Sequence, residues 1–381
     1  PKCLQSMFEQ NVQLENVALF SDETKIADLR PALDAVAHNL KSLELDVIAT
    51  SEQLKDILDS CPNLEALRLE NLAAREIWKF TNPFEHKETQ QSFTPTTYPK
   101  LKSLSIVTNK IYGVHEDYRL SYINHYFPNL ESLELSILCR YSDTHRHHGE
   151  EAILQHGENI FMYKTVFNHL QNLKISFLSE TIIDHLETFF PHLTSLEFIP
   201  QTWSSYASHI ENKSIRHLLK SSAGSKLTSL KTVYPYQERS IVRDYVFIDA
   251  DNHPTDGLAE VTPENKLPTK MNNLTTLDVC NLLMTAGSFY SYREFPKLQN
   301  LKIYLRSLAL IKKISKSVKL EELVVLEIDF IQKNRVGKNI TDLLTMFPKL
   351  RVFKTNANLN SLQLKALKTQ YPYLSIIIDR E

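Results

Sequence analysis

One phrase, Leu-x-x-Leu-x-Leu, recurs along the whole chain and constrains the fold more than any other feature. It starts at Leu40, Leu64, Leu101, Leu130, Leu170, Leu193, Leu274, Leu298 and Leu323, each time closed by an aliphatic or aromatic residue. Weaker copies start at Leu14, Leu227, Leu350 and Leu374, where Val17, Thr232, Phe353 and Ile377 replace one leucine. The shortest spacings between copies are 23 to 27 residues, room for one strand and one helix per repeat. Leu67 and Leu69 share a strand face at period two, whereas Leu54, Ile57 and Leu58, like Ile340, Leu343 and Leu344, fall at helical spacing. Neither element buries its apolar face alone, so neighbouring repeats must stack.

The stop of each helix is also written in the sequence. Seven copies are preceded by a proline turn: Cys61-Pro62-Asn63-Leu64, Tyr98-Pro99-Lys100-Leu101, Phe127-Pro128-Asn129-Leu130, Phe190-Pro191-His192-Leu193, Phe295-Pro296-Lys297-Leu298, Phe347-Pro348-Lys349-Leu350 and Tyr371-Pro372-Tyr373-Leu374. Proline cannot continue a helix and drives its predecessor out of the α region, so the aromatic or cysteine before it is expected to plug the core. Thr50 or Ser51, and Asn339, are expected to cap helix N-termini. These units resemble the leucine-rich repeats of F-box proteins, especially the divergent fungal kind. The resemblance implies an α/β solenoid, a horseshoe of about 13 repeats with parallel strands on the concave face and helices on the convex face. It also implies a module that holds the substrate of a ubiquitin ligase, docked on a Skp-type adaptor through an F-box. No F-box precedes Leu14, and residue 1 is proline, so ligase membership is expected only if upstream sequence supplies one. A free-standing scaffold or adaptor is the alternative.

Other functions fare less well. A net charge of -2 offers no global attraction to nucleic acid or to an anionic membrane. Seven glycines in 381 residues leave little for phosphate-cradling loops, and neither the P-loop nor the dinucleotide motif occurs. Cys3, Cys61, Cys139 and Cys280 form no C-x-x-C pair, which suits a reducing compartment. With no signal-peptide core and no apolar run near the ~20 residues of a span, the expectation is an intracellular chain, cytoplasmic or nuclear. Signatures of zinc proteases and serine hydrolases are absent, and Asp184-His185 reads as a surface pair on a helix. No enzyme activity and no cofactor are expected.

The residue between the second and third phrase positions should face away from the core. From the fifth repeat this row reads Glu134, Lys174, Glu197, Lys231, Asp278, Lys302, Glu327 and Lys354. Alternating signs at strand spacing are expected to neutralise one another, which makes a poor phosphate groove. Protein recognition is therefore expected beside this row, at Phe20, Glu70, Ile199, Val233, Tyr304 and Asp329 near strand ends, and at Trp78, Phe84, Trp203, Tyr234 and Tyr236 just beyond them. One domain, residues 1–381, is expected, with insertions near 71–97, 136–157 and 232–270, of which the first is the best contact loop. In the second, His145, His147, His148 and His156 would need Cys139 or Glu150 to complete a metal set, so a solvated loop is favoured. The third carries Asp249, Asp251, His253, Asp256 and Glu260. Pro254 stands where a calcium loop needs glycine, so an acidic surface loop is favoured.

Overall fold

A computed structural model describes residues 2–48, 51–70, 97–108, 120–137, 166–175, 180–198, 217–218, 221–232, 273–279, 295–305, 320–330 and 337–379. The chain forms two compact units, Pro1–Leu193 and Thr194–Glu381. The first contains α1 (Lys2–Gln10), β1 (Asn16–Lys25), α2 (Ile26–Val36), β2 (Ser42–Ile48), α3 (Ser51–Ser60), β3 (Ala66–Glu70), β4 (Ser103–Thr108), α4 (Leu120–Tyr126), β5 (Ser132–Ile137), β6 (Asn172–Ile175) and α5 (Glu180–Phe189). The second contains β7 (Ser195–Phe198), α6 (Ser222–Lys226), β8 (Ser229–Thr232), β9 (Thr276–Val279), β10 (Asn300–Leu305), β11 (Val325–Phe330), α7 (Gly337–Leu344), β12 (Val352–Thr355), α8 (Ser361–Gln370) and β13 (Ser375–Ile378). Within each unit the strands lie in sequence order and pair in parallel. Each of the thirteen copies of the phrase carries one strand, and the fold is an α/β leucine-rich-repeat solenoid.

The register follows the phrase. Val17, Leu43, Leu67, Leu104, Leu133 and Leu173 are successive partners across β1 to β6. Leu196, Leu230, Leu277, Leu301, Leu326 and Phe353 are partners across β7 to β12. All are buried, as are Leu54, Ile57 and Leu58 of α3 and Ile340, Leu343 and Leu344 of α7.

The junctions have one geometry. At every proline turn the N–H of the leading leucine donates to the carbonyl three residues earlier, at 3.1–3.2 Å, from Leu64 to Cys61 through Leu374 to Tyr371. Cys61, Phe127, Phe190, Phe295 and Phe347 are buried there, as the plug reading requires. Leu227 makes the same bond to Gly224, which holds the plug position without a side chain. A Cβ on Gly224 would collide with the Leu218 carbonyl, so backbone fills the space an aromatic fills elsewhere. Just before the leucine, Asn39, Asn63, Asn129 and Asn273 each donate a side-chain N–H to a carbonyl of the preceding repeat's junction, on Val12, His38, Pro99 and Ser225.

Two expectations need correction. Asn339 does not cap α7, which begins at Gly337 and places Asn339 inside its first turn. Ile377 does not occupy an inward phrase position. Ile376 pairs with Phe353 and Ile377 with Lys354, leaving Ile377 42% exposed. The cause lies in the backbone: the Arg351 carbonyl takes only the Ser375 N–H, so β13 sits one residue nearer its leading leucine. The Phe190→Ala variant removes a fully packed ring and should lose about 3–5 kcal/mol of unfolding free energy. Asn63→Ala, which removes the bond to the His38 carbonyl and the exposed one accepted from Lys100, should lose about 1–2 kcal/mol; denaturant melts of both variants check the ranking.

Candidate partner-binding face

Residues that alternate with the buried phrase positions point away from the helix layer. In the first unit they form two rows. The first runs Ala18, Glu44, Arg68, Ser105, Glu134 and Lys174 in continuous register. In the second, Phe20 pairs with Asp46, and Glu70 pairs with Val107, which pairs with Ser136. Exposure falls steeply along this second row, from Phe20 at 63% to Val107 at 4% and Ser136 at 2%. The accessible part of the face is thus the β1 to β3 end.

Arg68 organises the first row. Its guanidinium reaches Glu44 at 3.0 Å, Glu70 at 2.5 Å and, across the intervening strand, Glu134 at 3.4 Å. The reach over β4 is possible because that strand presents the small Ser105. The Ser105 hydroxyl itself donates to Glu134 at 2.6 Å. Ser136 donates to the other carboxylate oxygen at 3.0 Å, and Lys174 lies 2.9 Å from it. Burial alone would raise the Glu134 pKa, but the bonds from Ser105, Lys174 and Ser136 and the lysine charge together hold it below the ordinary carboxylate value.

In the second unit a row in continuous register runs Glu197, Lys231, Asp278, Lys302, Glu327 and Lys354. Lys302 lies 2.6 Å from Glu327, and Lys354 lies 3.8 Å from the same carboxylate. Asp278 departs in the opposite sense from Glu134. Burial is the largest cause, Lys302 and Lys231 oppose it, Glu327 and Glu197 reinforce it, and its pKa is pushed up to about 6.

Of the residues singled out from sequence, Phe20 and Glu70 share the second row of the first unit, on β1 and β3, while Tyr304 and Asp329 are register partners in the second unit. Trp78, Phe84, Ile199, Trp203, Val233, Tyr234 and Tyr236 lie outside the described residues, as do the histidine-bearing and acidic segments. Sequence reading began the charged row at Glu134 and missed Glu44, Arg68 and the two serines. The signal was present, since each occupies a predictable place after a phrase leucine.

Catalytic groups do not assemble among the described residues. Cys61 is a buried thiol pushed up to about 11, by burial first and then by Asp34, so it is not a thiolate near neutrality. The Tyr98 hydroxyl donates to Asp59 at 2.8 Å, and its pKa is raised by burial and by that bond. His185 stacks on Phe189. No three metal-ligating side chains come together among the described residues, and no described helix is long and apolar enough to cross a membrane.

Neither a protein-family profile nor a curated protein matches the sequence. Solved structures do match. In a complex of Rad7 and Elc1 from yeast, the likeness covers 99% of this chain and 87% of that one, at 13% identity and a TM-score of 0.41. In a complex of TLR13 with ssRNA13 it covers 92% of this chain and 40% of that one, at 15% identity and a TM-score of 0.43. At these values neither likeness adds to what the strand register already shows.

Because the folded pKa of Glu134 lies below its unfolded value of 4.5, its contribution is fully present above that value and is lost as pH falls through the folded pKa. Glu134→Gln should therefore cost about 1–2 kcal/mol at pH 7. Denaturant melts in a pH series should show the gap from the parent closing below pH 4.5.

Proposed function

We propose that the chain is a protein-interaction module that holds a partner on the strand face of its first unit, and that it is not an enzyme. The observation that carries this reading is Phe20, an aromatic ring 63% exposed in the middle of a strand and register-paired with Asp46. Exposing such a ring to water is unfavourable by roughly 25 cal/mol per Å² of apolar surface, and aromatic side chains supply many interface anchors. The Arg68 cluster beside it is held by three carboxylates, which gives the partner a fixed polar surface to dock against. Insertion 71–97, with Trp78 and Phe84, is the second element proposed to contact the partner.

The finer reading is that the module is the substrate-recognition part of an F-box-type ubiquitin ligase. Its support is the style of the repeats, in which a proline turn precedes seven of the phrases. In that case a Skp-type adaptor would be held by an F-box upstream of Pro1. If the partner is held but no adaptor accompanies the natural protein, the chain is a scaffold outside ubiquitin transfer. The expected compartment is intracellular, as the cysteine pattern suggests.

Affinity purification of the natural protein, followed by titration of the recovered partner, tests both levels. Phe20→Ala should weaken that partner at least tenfold, about 1.4 kcal/mol, with the thermal melt unchanged; unaltered affinity would remove the β1 face from the site. Shortening residues 71–97 should weaken the same partner, and recovery of the adaptor decides the ligase reading.

A further inference from the structure

The last repeat leaves apolar groups in water. Leu362 of α8 is 77% exposed and Tyr373, at the turn into β13, 82%. Ile377 of β13 and Ala366, one turn along α8 from Leu362, are exposed as well. Among the described residues no strand lies beyond β13.

The backbone of that edge has a defined phase. The Ser375 N–H donates to the Arg351 carbonyl and the Asp379 N–H to that of Thr355. By the alternation of a strand, Ile377 also turns its backbone groups towards β12, while the N–H and C=O of Ile376 and Ile378 point to the free edge. Such edges are normally protected by charged side chains, proline or a bulge. β1, the edge strand of the first unit, contains Asp22, Glu23 and Lys25 and breaks register between Phe20 and Lys25. β13, with the sequence Ser-Ile-Ile-Ile, has neither charge nor proline and keeps unbroken register with β12.

A second copy of β13 fits this edge on both faces. In an antiparallel pair with a two-fold axis at Ile377, Ile376 of each copy stands opposite Ile378 of the other. These are the residues whose backbone groups face outward, so both positions become hydrogen-bonded pairs. Ile377 meets its own copy in the close, non-hydrogen-bonded pair between them. Asp379 falls opposite Ser375 of the second copy, whose hydroxyl can donate to the carboxylate, and no like charges meet. The same axis brings the two α8 helices side by side over Leu362 and Ala366. Stacking β13 on β1 of another copy would instead meet the charged, broken edge and would propagate without closing. We propose that β13 is a self-association edge through which two copies of the chain form a closed two-fold dimer. The dimer does not depend on the partner proposed for the first unit.

Sedimentation of the whole chain over a concentration series should show a species of twice the 44.1 kDa chain mass. Ile377→Lys sets two ammonium groups against each other at an exposed position and should weaken self-association at least tenfold, with the far-UV spectrum unchanged. Oxidation of Ile377→Cys should give a covalent dimer that the parent chain does not give, since Cα atoms of a non-hydrogen-bonded pair lie about 4.5 Å apart, within disulfide reach. Ser375→Cys should not crosslink, because its two copies are offset by four residues, about 13 Å along the strands. The two cysteine variants keep the proposal open to refutation should the lysine variant fail to fold. A single species of monomer mass up to about 100 μM, or crosslinking at Ser375 as readily as at Ile377, overturns it.

Discussion

One backbone carbonyl per repeat, on the residue after the leading leucine, carries the arithmetic of this fold. The Glu15 oxygen accepts the N–H groups of both Lys41 and Ser42, the Lys41 oxygen those of Glu65 and Ala66, and the Glu65 oxygen those of Lys102 and Ser103. In the second unit Thr194, Thr228, Thr275, Gln299 and Val324 each accept two in the same way. An oxygen shared between two consecutive amides fixes where the following strand begins to within one residue. A slip of one residue would turn every leucine out of the core. The strand faces, the rows of charge and the exposure of Phe20 all inherit their positions from that bond.

The turn that delivers the chain to this carbonyl uses different side chains for one purpose. Phenylalanine or cysteine fills the core before proline, and tyrosine at Tyr98 and Tyr371 stays partly exposed and hydrogen-bonds outward, to Asp59 and to the Thr341 carbonyl. Gly224 shows that the position needs occupied volume rather than a particular residue, since the Leu218 backbone supplies it there. The asparagines before the leucine bind each turn to the one before. The sequence carries them as the unremarkable middle residue of Pro-Asn-Leu at Asn63 and Asn129, without a hydrophobic signal to mark them.

Much of the fold could be read directly because its determinants are periodic. Thirteen phrases correspond to thirteen strands, and the apolar helical faces at Leu54, Ile57 and Leu58 lie where their spacing places them. Legibility failed where periodicity weakens. In Ser375-Ile376-Ile377-Ile378 three isoleucines in a row fit either register, and only the shortened junction selects Ile376 and Ile378 as inward. The start of α7 was misplaced because a capping residue type does not fix a cap without the backbone beside it. On the candidate face, Phe20 and Glu70 could be located from strand position alone. The place of Arg68 in the row could be read in the same way, but not its role, which depends on a serine in the next strand and a glutamate in the one after, a relation that no single repeat contains.

Ser105 has a consequence for how charge is organised in the first unit. Strictly alternating signs would couple each strand only to its immediate neighbours. With a short hydroxyl in that slot, the guanidinium of Arg68 spans to Glu134, and the phase of the alternation slips by one strand without a break. Glu44 and Lys174, four strands apart in the row, are thereby joined by an unbroken run of ion pairs, Glu44 to Arg68, Arg68 to Glu134 and Glu134 to Lys174.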